Sequence, residues 1–469
     1  MITRREVLQS SAAAAAAAMA PAADASATAE NSLLESHSRG AEMLRHGPLM
    51  NLERAYKIMA EEQVDGLIVA MPTNLYHLTG YLDHVAVRHD APAAFALLAR
   101  DERQAPSIVM SQFLYYYSFV DGHYDYPLNP YLFTGWDGKI EAGKSGRDLS
   151  GEEPAASPPF VFNDKGELPQ RDFEVYRIHA LDGALAKRSP SANAEWALIK
   201  AVRDMGLHKG RIAVDHPVIA GIYEAAGFGA STVDADYAIR RIRTIKSPTE
   251  IQLMRIAAQI NADAALAAVK QVRAGATHKE LRASFFAEAS RRGNVPLFLQ
   301  IDTVTSEIYD AELKDGEAFA IDAVSLGFHY FGDYGRTVFV GEPSRSMKRA
   351  TDAISFGWDA VREALKPGLR YSEINALGRE AMKKAGFDFD VAVSPHSVGL
   401  AHSDDPGRGG PGAYWVKGDT VLEENMVISV DMPIRHSGVG GSAHLEDLTL
   451  ITGDGGVQIN DIGDRIVMV

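Results

Sequence analysis

The chain has 469 residues, of which 46% are hydrophobic, and a formal net charge of -15 at pH 7. This length and apolar content can bury two substantial cores, so we expect two globular domains. The negative charge excludes nucleic acid as a partner, because no basic stripe or aromatic platform offsets it. The chain has no cysteine, which excludes disulfides and thiol chemistry.

The first 27 residues follow the order of an export signal. Arg4 and Arg5 precede an apolar pair, an alanine run extends to Ala20, and residues 25–27 (ASA) offer a small-residue cleavage site. This order is typical of a bacterial twin-arginine signal and favours it over a disordered alanine-rich tail. We therefore expect a periplasmic or otherwise exported protein. No other stretch reaches about 18 consecutive apolar residues, so no membrane span is expected in the mature protein.

The rest of the chain is organised as a polar arm and two domains. Residues 28–50 predict a flexible or surface-wrapping arm. Residues 51–245 alternate helix and strand patterns, from LERAYKIMAEEQ into VDGLIVA and later AEWALIKAV and RIAVD, which predicts an α/β domain. A Gly-, Pro- and aromatic-rich stretch, residues 115–168, is either a packed insertion or a loop over an active site. Residues 246–469 form the second domain, which begins with a helix after Pro248.

Two aspartates flank a strand, turn, strand pattern in the second domain. In AIDAVSLGFHYFGDYGRTVFV, apolar and aromatic residues run into a turn at Leu326-Gly327 and out again. Asp322 and Asp333 are therefore expected on neighbouring antiparallel strands.

A second pair of acidic residues repeats this plan near the C-terminus. An apolar run ends at Asp431, a Gly/Ser-rich turn follows, and the next apolar run carries Glu446 back. With His396, the two hairpins can bring four carboxylates and one imidazole together on a single sheet. Taken singly, each aspartate is typical of a turn facing water.

Taken together, the five residues favour a metal site. Carboxylates that are close together in a sheet interior repel each other and are poorly solvated, so they persist when they are protonated, paired with cations or bound to metal. Two divalent ions roughly 3.5 to 4 Å apart would satisfy them and would lower the pKa of a bridging water.

These motifs resemble the pita-bread metallopeptidase family, which includes methionine aminopeptidase, aminopeptidase P, prolidase and the metal-free creatinase. The matching stretches are IKSPTEIQLMRIAAQINADAA, VRAGATHKEL, LKDGEAFAIDAVSLGFHYFGDYGRT, PHSVGLAHSDDP, ENMVISVDMP and HLEDLTLIT. Residues 51 to about 245 resemble the extra N-terminal domain of the creatinase, prolidase and aminopeptidase P branch. The resemblance implies a mixed α/β (α+β) chain with a creatinase-like N-terminal domain and a C-terminal pita-bread domain.

The resemblance also implies a role for each site residue. Asp322 binds one ion through both oxygens, Asp333 and Glu446 bridge two ions, and His396 and Asp431 complete the shell of the other ion. The set of oxygen ligands with one nitrogen suits manganese, cobalt, zinc or iron and does not choose among them. Relatives usually have Glu at the Asp431 position, where it is also the general base, so the shorter Asp changes the reach towards the water.

Three further positions differ from the usual family pattern. The position of a substrate-contacting His, about seventeen residues before the first ligand, is Thr305, whose hydroxyl cannot become a cation. A second His normally lies seven residues after His396, whereas His402 lies six residues after it. We interpret His402 as a proton donor or oxyanion contact, the alternative being a loop residue in solvent. His444 replaces a frequent Arg and is interpreted as a strand-surface residue.

The sequence predicts an exported hydrolase with two metal ions, related to prolidase and aminopeptidase P. The expected substrate is a short peptide or small amide, with the preference for proline implied by the resemblance alone. The same metal site with a non-peptide substrate, as in amidine hydrolysis or lyase chemistry, remains an alternative. A metal-free binding protein is disfavoured because every ligand position retains a donor atom. The resemblance also implies a homodimer.

Overall fold

The computed structural model describes residues 35–82, 92–122, 124–134, 149–159, 166–407, 416–435, 438–460 and 464–469. The predicted export signal, residues 1–27, lies outside these residues and stays a prediction. In the described part of the chain, no helix combines the length and the apolar character needed to cross a membrane.

The N-terminal half is built on a six-stranded mixed sheet with the strand order β4-β3-β2-β1-β5-β6. The strands are β1 (Gly66–Val69), β2 (Ala94–Ala99), β3 (Ser107–Ser111), β4 (Asn129–Phe133), β5 (Arg211–Val214) and β6 (Ser231–Asp234). The helices are α1 (35–43), α2 (Leu52–Glu61), α3 (Pro72–Thr79), α4 (Asp172–Lys187), α5 (Ala194–Asp204), α6 (Pro217–Ala225) and α7 (Asp236–Thr244).

The predicted α/β alternation of this half is confirmed. Asn51 caps α2 by accepting a hydrogen bond from the backbone N–H of Arg54, as the helix pattern that starts at Asn51 predicts. The strands β1, β2 and β3 are buried along their whole length. Two apolar clusters cover them, one on each face. Uninterrupted apolar strands are expected where helices cover both faces of a sheet.

The head of the aromatic stretch packs into this half. Residues 112–122 form consecutive short helical turns, and Tyr115, Tyr116 and Phe119 are buried in the N-terminal core. This placement agrees with a packed insertion for the head. Residues 135–148 and 160–165 of the same stretch lie outside the described residues.

The C-terminal half is built on an eight-stranded sheet. The strand order is β10-β11-β12-β9-β8-β7, with β13 paired to β12 and β14 paired to β9. The strands are β7 (Val295–Ile301), β8 (Ala318–Gly327), β9 (Tyr330–Phe339), β10 (Ser394–Ser397), β11 (Val427–Asp431), β12 (Glu446–Thr452), β13 (Gly455–Gln458) and β14 (Ile466–Met468). The helices are α8 (Pro248–Val269), α9 (His278–Arg291), α10 (Arg345–Ala364) and α11 (Tyr371–Lys384).

The helix predicted after Pro248 is confirmed as α8. Ser247 and Glu250 form a reciprocal capping box, and Pro248 occupies the first turn, where its missing N–H has no partner to lose. Since α7 ends at Thr244, the boundary predicted at residue 246 falls in the link between two helices. The division into two folding units stays a prediction, because one apolar cluster joins Leu49 and Tyr76 to residues of α8 and β9.

The turn between β8 and β9 lies two residues later than predicted. Gly327 pairs with Tyr330, so Phe328 and His329 form the two-residue loop, with φ angles of 49° and 64°. Such angles usually select glycine or asparagine. Here contacts from the N-terminal half stabilise the turn instead. The Tyr76 hydroxyl donates to the Phe328 carbonyl at 3.0 Å, and the His37 ring packs on Phe328.

Candidate metal centre

The central strands of the C-terminal sheet place three acidic residues side by side. Asp322 on β8 and Glu446 on β12 both lie opposite Gly335 of β9, one on each side. Asp333 is two residues before Gly335 and therefore shares its face. The prediction that Asp322 and Asp333 lie on neighbouring antiparallel strands is confirmed.

Gly335 leaves the space between these strands open. A Cβ atom at this position would lie 2.8 Å from the Glu446 Cβ and 2.8 Å from two atoms of the His444 ring. Carbon atoms do not approach so closely without displacement. The central strand therefore needs glycine here for the flanking side chains to converge.

The outer strands add an imidazole and a fourth carboxylate to the same face. On β10, His396 lies opposite Ser429, and Ser394 lies opposite Asp431 at the end of β11. The Ser429 hydroxyl donates to Glu446 Oε1 at 2.6 Å and so orients that carboxylate.

His396 points at the centre of this group. Its Nε2 lies 3.3 Å from Asp431 Oδ2, 3.5 Å from Glu446 Oε1 and 3.6 Å from Asp333 Oδ2. A nitrogen that is nearly equidistant from three carboxylates is typical of ligands around a common ion. A single hydrogen-bonded pair would instead show one short distance.

Two further histidines border the group. His402 Nε2 lies 3.3 Å from Asp333 Oδ2, and its ring centroid is 5.3 Å from that of His396. His444 Nε2 lies 3.3 Å from Asp431 Oδ1 and 3.6 Å from Glu446 Oε2. The interpretation of His444 as a strand-surface residue is wrong, because its side chain is buried. Thr305, in contrast, is exposed in the segment after β7.

Four carboxylate oxygens of the site have no hydrogen-bond partner among the described residues. Both oxygens of Asp333, Oδ1 of Asp322 and Oε2 of Glu446 are buried without a donor. An unpaired buried carboxylate costs several kcal/mol, so these atoms require protons or cations. Three overlapping groups have ligand atoms within 4.8 Å of one another: Asp333, His396 and His402; His396, Asp431 and Glu446; and Asp322, His444 and Glu446. Oxygen-rich groups with one or two imidazoles fit divalent ions.

Two carboxylates of the site, Asp322 and Glu446, bind protons more readily than usual. Burial, followed by the charge of Glu446, raises the pKa of Asp322 to about 7. Burial, followed by the charge of Asp333, raises the pKa of Glu446 to about 7. Crowded acids in a poorly solvated site therefore share protons unless cations replace them.

The surrounding imidazoles have the complementary tendency. Burial lowers the pKa of His402 and of His444, but contact with Asp333 and Asp431 respectively outweighs it and raises each pKa to about 9. Burial raises the pKa of Asp431, but contacts with His396 and His444 outweigh it and leave that pKa well below its usual range. Without metal, the imidazoles supply the positive charge. Bound cations would take over this role and release protons.

A network of buried charges holds the loop that carries His402. Asp405 accepts hydrogen bonds from the Ser397 backbone N–H and from the Tyr371 hydroxyl. Asp404 is paired with Arg243 of α7 at 2.8 Å. The segment after β10 is thus anchored to the link between the two halves. This anchoring fixes the position of His402 over the sheet.

The structure brings all five predicted metal residues together with the predicted catalytic residue His402, and the metal assignment itself stays a prediction. The sequence interpretation missed His444 and the clearance at Gly335. The signal for His444 was its spacing, because a residue two positions before Glu446 on a strand points to the same face.

Comparison with known proteins identifies relatives of this arrangement. Residues 252–453 match the sequence profile of metallopeptidase family M24. The chain is 28% identical to the Xaa-Pro dipeptidase of Pyrococcus furiosus over 236 residues, which is 48% of this chain and 65% of that protein. It is 27% identical to the probable dipeptidase PepE of Mycobacterium tuberculosis over 265 residues, which is 52% of this chain and 66% of that protein. The alignments thus span slightly less than two thirds of the relatives' own length.

Solved structures extend the likeness over nearly the whole chain. The Xaa-Pro dipeptidase from Bacillus anthracis superposes with a TM-score of 0.62 at 17% identity and covers 92% of this chain and 100% of its own. The prolidase from Pyrococcus furiosus gives a TM-score of 0.57 at 19% identity, with coverages of 87% and 100%. At these identities the likeness shows the fold. The segment 252–453, which contains all the candidate ligands, thus matches metallopeptidase family M24 within a chain of prolidase-like fold.

Proposed function

We propose that this protein is a metal-dependent hydrolase of the Xaa-Pro dipeptidase and aminopeptidase P type, which cleaves a short peptide or small amide. The observation that carries this proposal is the convergence of four carboxylates and His396 on one face of the sheet, with buried oxygens that have no donor in the described protein. The relatives named as dipeptidases support the same reaction class.

We infer that two divalent ions occupy the site. Asp322 and Glu446 belong to one group of ligand atoms, and His396, Asp431 and Glu446 form another, so Glu446 is common to both, while Asp333 lies beside His396. Manganese, cobalt, zinc and iron all suit these donors. When bound, the ions would lower the pKa of a water molecule and offset negative charge that develops on the substrate carbonyl.

Asp431 is proposed as the base that takes a proton from the attacking water. Its side chain is 28% exposed, whereas those of Asp333 and Glu446 are buried, so it is open to solvent on the entry side. Imidazoles lie within 3.3 Å of each of its oxygens and fix its orientation. A carboxylate held in this way can accept a proton without changing its rotamer.

His402 is proposed as the proton donor to the leaving nitrogen. Its side chain is 37% exposed, so one edge of the ring reaches the open side of the site while Nε2 faces Asp333. In the metal-free protein, contact with that carboxylate raises the pKa of the imidazole to about 9. A protonated imidazole can give its proton to an amine or stabilise an oxyanion.

The substrate is proposed to be small. A narrow pocket adjoins Asp322 and His444 and is lined also by Gln300, Thr303 and Arg435. Arg435 supplies a cation that suits the terminal carboxylate of a dipeptide.

Metal analysis combined with a peptide panel tests the proposal. Purified protein should contain two divalent ions per chain and should hydrolyse Xaa-Pro dipeptides faster than dipeptides without proline. Asp333→Asn should lose metal and activity together, and the matched change Asp352→Asn, on the exposed side of α10, should lose neither. A protein that remains metal-free when offered manganese or zinc would refute the proposal.

A non-peptide substrate is the second candidate function. The exposed position of Thr305 and the short side chain of Asp431 favour it, because both differ from what peptide cleavage in the family usually employs. It predicts full metal content without turnover of any dipeptide, and loss of the alternative activity in the Asp322→Asn variant.

We also propose that the protein is exported through the twin-arginine pathway and works as a homodimer. Arg4 and Arg5 support the export route, and the resemblance to the creatinase, prolidase and aminopeptidase P branch implies the dimer. Cell fractionation of the natural chain and of an Arg4→Lys, Arg5→Lys variant tests the first proposal. Sedimentation velocity of the purified protein tests the second, and a single species of 50.8 kDa would contradict it.

A further inference from the structure

We propose that His444 binds metal directly, as a ligand of the ion held by Asp322 and Glu446, so that each of the two ions has its own imidazole. This inference rests on the proposed two-ion site. It adds a nitrogen donor that the sequence interpretation placed on the strand surface.

The backbone of His444 is held rigidly on the metal-binding face. Its N–H donates to the Thr337 hydroxyl at 3.0 Å, and the same hydroxyl donates to its carbonyl at 3.1 Å. His444 precedes Glu446 by two residues, so both side chains leave the sheet on the same face. The Cα–Cβ bond of His444 therefore stays directed to the metal-binding face as long as the contact between β9 and the segment that leads into β12 is intact.

The position of the ring suits a ligand. The donor atoms of Asp322, His444 and Glu446 lie within 4.8 Å of one another. Ligands at about 2.0 to 2.2 Å from a common ion are separated from each other by roughly 3 to 4.4 Å, which leaves only a small adjustment. His444 Nε2 is buried and forms no hydrogen bond of good geometry. The neighbours of this nitrogen are carboxylate oxygens of Asp431 and Glu446 at 3.3 and 3.6 Å, and a cation beside it would bind the imidazole and the carboxylates together.

The space that the ring occupies is made by Gly335. The ring atoms Nδ1 and Cε1 would each lie 2.8 Å from a Cβ at that position. The ring therefore lies over the bare backbone of β9, between Asp431 and the gap shared by Asp322 and Glu446. From this position one nitrogen can reach the ion, whereas a purely positioning role towards Asp431 leaves the Asp322 side of the site without nitrogen.

A consequence is a shift in metal preference. An added imidazole favours zinc and cobalt over manganese, because nitrogen donors bind the later divalent metals more strongly. We expect the second ion to follow this preference. The shift should disappear when the imidazole is removed.

The decisive measurement is the number of imidazoles around bound cobalt. X-ray absorption of the wild-type protein loaded with two cobalt ions should give a mean of one imidazole per ion, falling to half per ion in His444→Gln. His402→Gln is the matched control, because it removes a neighbouring imidazole at 37% exposure, and the count should stay at one. A mean of half an imidazole in the wild type overturns the inference even if the His444→Gln variant does not fold.

Metal titration of the metal-free protein provides the second readout. In His444→Gln, the affinity for one of the two ions should fall by about 100-fold or more. Loss of a residue that only hydrogen-bonds to a ligand typically lowers metal affinity by 10- to 100-fold, and loss of a ligand itself should cost at least as much. The other event should stay within about twofold. If wild type and variant bind both ions equally, His444 is no ligand while the proposed function stands. If the wild type binds no metal, both the inference and the proposed function fail.

Discussion

A buried ion pair lies directly beneath the candidate metal centre and connects two of its strands. Arg336 follows Gly335, and Asp447 follows Glu446, so both side chains point to the opposite face of the sheet. Arg336 Nη2 donates to Asp447 Oδ1 at 2.7 Å, and the side chains are only 1% and 3% exposed. Arg336 Nη1 also donates to the carbonyls of Gly335 and Glu446 at 2.8 and 3.0 Å, and Gln458 donates to Asp447 Oδ2 at 2.7 Å.

The pair should behave as a strongly coupled unit. Asp447→Leu leaves a buried guanidinium without its carboxylate, which should lower the free energy of unfolding by about 3 to 5 kcal/mol. Arg336→Met should lower it by a similar amount, because the buried carboxylate of Asp447 then has no guanidinium beside it. The double variant removes both charges. It leaves two carbonyls and the Gln458 amide without partners, at about 1 kcal/mol each. The expected loss is therefore about 3 kcal/mol instead of about 8, a coupling of about 5 kcal/mol.

Urea unfolding of the four proteins, followed by circular dichroism, measures this coupling. A chelator keeps every sample metal-free, so that altered metal affinity does not contribute to the measured stability. Glu342→Gln, which removes the partner of exposed Lys348, is the control and should change the stability by less than about 1 kcal/mol. Additive single variants, or a loss below 1 kcal/mol for Asp447→Leu, would refute the reasoning.

Three further predictions test the surroundings of the site. Gly335→Ala places a methyl group 2.8 Å from Glu446 Cβ and should abolish metal binding in elemental analysis, whereas a variant that still holds two ions would show that the strands can separate. Burial lowers the pKa of His278, so on acidification this residue gains its proton at a higher pH in the unfolded chain than in the folded protein. The stability should therefore fall as the pH drops below about 6.5. His278→Gln should flatten this slope in pH-dependent unfolding, and an unchanged slope contradicts the prediction. Asp404→Asn weakens the pairing with Arg243 that anchors the loop of the proposed proton donor; kcat should fall while the metal content stays at two ions, and unchanged kcat contradicts the anchoring role.

The ligands of the site could be predicted because strands have a simple period. Asp322 and Asp333 stand at the two ends of an apolar hairpin, so their adjacency followed from alternation and a short turn. Asp431 and Glu446 followed from the same pattern in the second hairpin, whereas no local strand pattern predicted His396. Pairing between β9 and β12, which brings the two hairpins together, depends on contacts between distant parts of the chain.

Other features depended on tertiary context that no local pattern contains. The turn at Phe328-His329 is held by Tyr76, which lies about 250 positions earlier in the chain. The burial of Asp404 is intelligible only once α7 brings Arg243 against the loop. His444 could have been found from its two-residue spacing to the last ligand, but a histidine on a strand has too many ordinary roles for spacing alone to decide.

The candidate ligands come from five strands that are spread from Asp322 to Glu446, and this spread has a consequence for the order of events during folding. A short peptide that contains two or three ligands can gather a metal early and fold around it. Here the complete set of ligands is not held by one short segment of the described residues, because Asp322 and Asp333 on one hairpin meet the other three ligands only when β9 and β12 have paired. An ion can therefore enter only a nearly completed sheet, and metal supply should govern maturation after folding without changing the folding rate.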